Sequence, residues 1–165
     1  MHTAEYWIEN LQLLPHPEGG FYKETYRSDE NITSAELAGR FDGVRSVSTA
    51  IYFLLRSQDM SSFHRIKSDE LWHFHEGSPL TIYALHTSGL SLYKLGLDTT
   101  SGQSPQVTIP AQCWFGATVD MPDAYTVVSC TVAPGFHFHD FELAKRDALL
   151  QKFPDHAALI KRLTL

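Results

Sequence analysis

Cysteine is scarce in this chain, with only Cys113 and Cys130 among 165 residues. Two are too few for a disulfide framework, and both lie in apolar, strand-like runs, so they read as buried free thiols. No Cys-x-x-Cys pair occurs, which excludes a zinc ribbon. Positive charge is also in short supply. Lys and Arg number 13 against 19 Asp and Glu, the formal net charge is −6, and the cations are scattered. That argues against a nucleic-acid face and against a membrane-surface helix. No run approaches the roughly 20 apolar residues of a membrane-spanning helix. No basic, apolar, small-residue leader opens the chain, so a cytoplasmic location is expected. There is no internal repeat and no low-complexity segment.

What is present suits a packed β domain. The length fits one domain over residues 1–165. Hydrophobic residues make up 43% and charged residues 19%, enough apolar material for a core. Ten Phe, seven Tyr and three Trp favour strands and an aromatic-lined cavity.

Along the chain, Thr3 can cap a helix whose apolar stripe is Trp7, Leu11 and Leu14. Pro15-His16-Pro17-Glu18-Gly19-Gly20 ends it. Phe21 to Arg27 reads as a strand, and Ser28 to Gly43 as a polar loop with a short helical turn at Ser34 to Ala38. From Val44 to His139 the pattern is all β. Val47 to Leu55 is almost continuously apolar, as in a strand covered on both faces. Further strands are expected near Ser62–Ile66, Glu70–His75, Leu80–His86, Leu90–Lys94, Gln106–Ile109, Cys113–Thr118 and Tyr125–Ala133, with turn residues between them. Many short strands at this spacing mean a sandwich, barrel or jelly roll. Glu142–Lys152 and Asp155–Leu163 read as two short closing helices.

The chemistry centres on Phe63-His64-Arg65-Ile66-Lys67-Ser68-Asp69-Glu70, followed by Gly77. A short turn between two strands would aim His64 and Glu70 at one point, where the carboxylate shifts the imidazole pKa. Alternation puts Glu70, Trp72 and Phe74 on one strand face and His73 and His75 on the other. If Glu70 points inward, the His73/His75 pair points out unless a bulge intervenes. His137 and His139 have no third ligand near in sequence, which argues against a metal site there.

The spacing of His64, Glu70 and Gly77 resembles the first motif of the cupin superfamily. Its metal-binding members carry a second histidine where Ile66 stands, and a later one where Phe115 falls in Ile109-Pro110-Ala111-Gln112-Cys113-Trp114-Phe115. Only His64 and Glu70 remain of four ligands, so no tightly bound metal is expected, and any metal would rest on those two. Three stretches together resemble one family, cupin-5, among the deoxysugar-epimerase-like cupins. They are Pro15 to Arg27, Phe63 to Trp72, and Ala133-Pro134-Gly135-Phe136 with Asp140-Phe141-Glu142. The resemblance implies a double-stranded β-helix (a cupin jelly-roll barrel) with an N-terminal helix and two short C-terminal helices, commonly a homodimer. Gly20-Phe21-Tyr22-Lys23-Glu24 is also similar to a substrate-contacting segment of nucleotide-sugar 3,5-epimerases, which implies Tyr22 and Glu24 as ligand contacts; Glu18, in the adjoining Pro15–Arg27 stretch, is expected to join them. Those enzymes carry an arginine where Gly19 stands, so a grip for a diphosphate is missing there.

Three readings follow. In the first, the chain is an isomerase or epimerase of a small polar metabolite, with His64 as base, Glu70 orienting it, and Lys67 or one of Tyr22, Tyr52, Tyr83 and Tyr125 as acid. In the second, it is a non-catalytic binding module whose pocket is walled by Trp72, Phe74, Trp114 and Phe115. The third, a metal-dependent oxygenase, lacks the second-motif histidine. The expected partners are a small-molecule ligand and a second copy of the chain, which would cover one face of Val47–Leu55.

Overall fold

The structure is a computed structural model that describes residues 2–33, 35–37 and 39–165. Helix α1 (Ala4–Leu11) starts as the sequence indicates, with the N–H of Tyr6 donating to Thr3 Oγ1 at 3.1 Å. It stops one turn earlier than the apolar stripe suggests, because Gln12 turns left-handed at φ 56°. Leu14 therefore lies outside the helix, in the short strand β1 (Leu14–Pro15), and is exposed. Leu13 is buried in its stead, with Trp7, Ile8 and Leu11.

The remaining strands are β2 (Phe21–Arg27), β3 (Asn31–Ile32), β4 (Arg45–Ser46), β5 (Thr49–Arg56), β6 (Ser61–Arg65), β7 (Asp69–Gly77), β8 (Leu80–His86), β9 (Gly89–Leu95), β10 (Gln106–Ile109), β11 (Trp114–Val119), β12 (Tyr125–Ala133) and β13 (Glu142–Leu143). They form two antiparallel sheets, one in the order β1-β2-β5-β12-β7-β10 and one in the order β13-β6-β11-β8-β9. The strands leave and re-enter each sheet in the crossing order of a jelly roll, so the expected double-stranded β-helix is the observed fold. Helices α2 (Arg146–Lys152) and α3 (Ala157–Arg162) close the chain.

Some boundaries differ from the sequence reading. Glu142 and Leu143 pair with β6 as a strand and do not start the closing helix. Asn31–Ile32 forms a small ladder with Arg45–Ser46 inside the expected loop. The turn expected at 34–38 begins and ends on residues outside the described ones.

The core lies between the sheets and includes Leu55, Trp72, Leu80, Ile82, Phe115 and Val128. A second cluster packs α2 and α3 onto the outside of the smaller sheet through Trp114, Leu149, Ile160 and Leu163. A third packs α1 onto the outside of the larger sheet over Leu54 and Val127. Leu54 is thus covered within the chain, which is why β5 reads as apolar on both faces at that end. No helix of the described residues is long and apolar enough to cross a membrane.

Candidate functional site

A cavity of about 470 Å³ opens at one end of the barrel. The chain passes from the smaller sheet to the larger one through residues 66–68, between β6 and β7. His64 on β6 and Glu70 on β7 therefore reach this cavity from different sheets. That corrects the simple-turn picture: they share a cavity wall, but no hydrogen bond or ion pair joins them among the described residues.

The partner of His64 is Glu18. Its carboxylate Oε2 lies 3.1 Å from His64 Nε2 and 3.6 Å from His16 Nδ1. Glu18 sits in the tight turn between β1 and β2, which is fastened to β6 by the Ser62 N–H donating to the Glu18 carbonyl at 2.8 Å. Ser61 Oγ donates to Glu18 Oε1 at 2.7 Å. Gly19 makes this turn possible. Its φ is +113°, and a Cβ there would collide with the Met60 carbonyl oxygen. An arginine cannot stand at position 19 in this backbone, so the missing diphosphate grip has a steric cause.

The hydrogen bonds locate the proton. His64 Nδ1 is 2.8 Å from the Ser62 carbonyl oxygen, which can only accept, so Nδ1 carries hydrogen. His16 Nδ1 accepts the Glu18 N–H at 3.2 Å and is bare. A neutral His64 facing an ionised Glu18 would leave Oε2 against two nitrogen lone pairs. One proton must therefore lie between Glu18 Oε2 and His64 Nε2. Burial pushes Glu18 up from the usual carboxylate range and pushes His64 down to about 4, so the resting proton sits on Glu18. Burial is the main cause that raises Glu70 to about 8; Glu18 adds to it whenever it is ionised, and the Cys130 thiol opposes it. At neutral pH Glu70 is protonated and Glu18 shares one proton with His64, so the inner end carries no net charge.

The walls are largely apolar. Tyr22, Phe53, Trp72 and Phe141 line them, and the segment Phe136–His139 forms the rim. At the mouth Arg27 clamps Glu24 through Nε and Nη2, at 2.9 and 2.7 Å.

The structure places His64, Glu70, Glu18, Tyr22, Glu24 and Trp72 on the cavity wall. It removes four other candidates. Lys67 faces outward toward Asp42 and Asp140, at 3.5 and 3.6 Å, and does not line the cavity. Phe74 packs into the deeper core. Trp114 is on the outer face of its sheet, under α2 and α3, with the Arg65 guanidinium 4.5 Å above its ring. Phe115 lies beneath His64, ring centroids 4.2 Å apart, and supports the imidazole without lining the cavity. Of the four tyrosines offered as acid, only Tyr22 lines the cavity.

The sequence reading missed His16, Cys130 and the rim. His16 looked like part of a helix stop, although its place two residues before Glu18 was a usable signal. His73 and His75 do lie on the outer face, hydrogen-bonded to Thr131 and Ser129, with a bulge beside them that leaves Trp72 and Phe74 inward.

The donors do not fit a metal held by the first-motif pattern. Ile66 offers hydrocarbon to the cavity, and Phe115 fills the later ligand position. Among the described residues no three His, Cys, Asp or Glu side chains are grouped to hold a metal ion.

Comparison with known proteins gives consistent relatives. The family model Cupin_5, described as cupin superfamily (DUF985), matches residues 5–144. Protein SO0799 from Shewanella oneidensis has a similar crystal structure, with a TM-score of 0.89 at 42% identity, covering 100% of this chain and 99% of that one. A hypothetical protein from Leishmania major is similar with a TM-score of 0.90 at 34% identity, covering 99% of both chains. The uncharacterized protein YML079W of Saccharomyces cerevisiae is 28% identical over 163 residues, covering 92% of this chain and 81% of its own length. None of these names carries an activity.

Proposed function

The chain belongs to the Cupin_5 family of the cupin superfamily, and we propose that its barrel binds a small uncharged carbonyl or sugar-like compound and moves a proton on it, as an isomerase or epimerase does. The observation that carries this reading is the buried contact of 3.1 Å between Glu18 Oε2 and His64 Nε2, at the inner end of a cavity of about 470 Å³. That volume falls within the roughly 300–1,000 Å³ typical of small-molecule sites.

The roles differ from the His64–Glu70 pair first expected. When the shared proton moves onto His64, Glu18 becomes a carboxylate base. The Ser62 carbonyl supports the imidazolium through Nδ1–H, and Ser61 holds the other carboxylate oxygen. Glu18 can then take a proton from the carbon next to a carbonyl. Glu70, protonated at neutral pH, donates its proton to the carbonyl oxygen, giving an enol. Glu18 then returns its proton to the carbon that bore the carbonyl, and the ionised Glu70 takes the proton of the adjoining hydroxyl, so the carbonyl shifts by one carbon and both carboxyls are restored. Aromatic walls exclude water around these groups, which strengthens both hydrogen bonds. No step passes through a metal.

The test is deuterium wash-in from heavy water into candidate sugars and keto compounds. Glu18→Gln and His64→Ala are each expected to slow exchange by about 100-fold or more. Equal exchange in wild type and both variants ends the proton-transfer reading. Ligand-dependent thermal stabilisation without exchange would leave a binding module, the second reading the apolar walls support.

A further inference from the structure

Behind the wall formed by Ile66, His139 and Phe141 lies a second hollow of about 300 Å³, which shares those three residues with the main cavity. Its chemistry is different. Arg40, Arg65, Lys67 and Gln112 face it. Most of the acidic groups nearby are already committed. Both oxygens of Asp140 accept from Arg45 at 2.6 Å, and Glu142 is held by Arg65 at 2.8 and 2.7 Å. Asp42 is exposed and approaches Lys67 only at 3.5 Å. Arg40 has no carboxylate within ion-pair distance among the described residues. Its Nε donates to the Lys67 carbonyl at 2.7 Å, and its guanidinium lies 4.9 Å from the Phe41 ring centroid, which fixes the group while leaving its terminal N–H donors free. Four cations (Arg40, Arg45, Arg65, Lys67) thus surround three carboxylates, a local positive excess in a chain whose formal net charge is −6.

The main cavity cannot supply this charge. Two carboxyls stand at its inner end, and its arginine, Arg27, is spent on Glu24. An anionic group would be desolvated there without a counter-charge. The side hollow offers what the cavity lacks: guanidinium forks and an ammonium, which suit the oxygens of a phosphate. Ile66, His139 and Phe141 line both hollows, and His139 on the rim is exposed. We propose that this hollow binds a phosphate-type anion, so that the compound acted on is a small phosphorylated metabolite with its carbonyl end in the barrel and its phosphate against Arg40 and Lys67. The substrate class rests on the proton-transfer reading above; the anion site itself does not.

The experiment titrates inorganic phosphate into the protein by calorimetry, with wild type, Arg40→Gln, Lys67→Gln and the distant charge control Lys94→Gln. Saturable binding is expected in wild type and in the control, weakened about tenfold or more by each of the two hollow variants. Arg40→Lys, which keeps the charge and loses the fork, is expected to fall in between. No saturable binding, or the same weakening in Lys94→Gln, overturns the proposal. Deuterium exchange with sugar phosphates and the matching free sugars separates the two claims. Glu18-dependent exchange that favours free sugars and ignores Arg40→Gln sinks the phosphate assignment and leaves the proton-transfer reading standing. Arg40-dependent phosphate binding with no Glu18-dependent exchange in any compound does the reverse.

Discussion

Glu70 and His64 are both held in their neutral forms, but their effects on stability have opposite signs. Glu70 keeps its proton up to about 8 in the folded protein, against 4.5 for an ordinary glutamate, so the native state binds an extra proton in that window and loses stability as pH rises. His64 titrates at about 4 in place of 6.5, so the native state binds one proton fewer and loses stability as pH falls below 6.5. These two slopes cancel between 4.5 and 6.5, and from 6.5 to 8 the Glu70 slope remains, with the buried Glu18 acting in the same direction. Urea denaturation should show wild type losing about 2 kcal/mol over that upper interval. Glu70→Gln should lose much less; superimposable profiles would remove the proton assigned to Glu70. Exchange activity should also fall above pH 8, because an ionised Glu70 cannot donate to a carbonyl.

At the scale of elements, the rim is held by a buried ion pair. Arg45 on β4 grips Asp140 through two bonds of 2.6 Å, with both side chains 3% exposed. The Gly135 N–H donates to the Ser46 carbonyl, and the Phe136 N–H to Thr49 Oγ1. These bonds fix the segment that carries Phe136 to Phe141 over the cavity. Removing the carboxylate leaves the Arg45 guanidinium buried without an ion-pair partner, so Asp140→Ala should cost about 3–5 kcal/mol. Arg45→Met with Asp140→Leu should cost less than Asp140→Ala, since no orphan charge remains. Chemical denaturation measures both, and a double variant as unstable as the sum of the singles would contradict this account. The same element logic explains Trp114. Neighbouring residues on β11 point to opposite faces, so Phe115 goes under His64 while Trp114 goes out to the helices.

For the whole molecule, we propose a homodimer that uses the outer face of the larger sheet. Helix α1 covers that face only over Leu54 and its neighbours. Beyond the helix, Ala50 stays half-buried, and Tyr26, paired with it, is 54% exposed. Sedimentation equilibrium at micromolar concentration should give twice the chain mass. A single species of chain mass would show that α1 alone suffices as cover.

Periodicity and turn residues were enough to place β2, β8, β10 and β12 at their observed limits, because strand alternation and turn chemistry are local properties written in consecutive residues. Alternation also grouped Glu70 and Trp72 on one strand face, and the resemblance to the cupin motif supplied the expectation that this face and His64 point inward. Which groups meet was decided only by the tertiary structure. Glu18 is far from His64 in sequence, and the tight turn at Gly19 brings it there by docking on β6. Lys67 follows His64 by three residues yet faces the other hollow, because the chain changes sheets between them. Side-chain direction within a strand follows a fixed alternation, but contacts between strands depend on how the two sheets close over each other, and no short stretch of sequence encodes that.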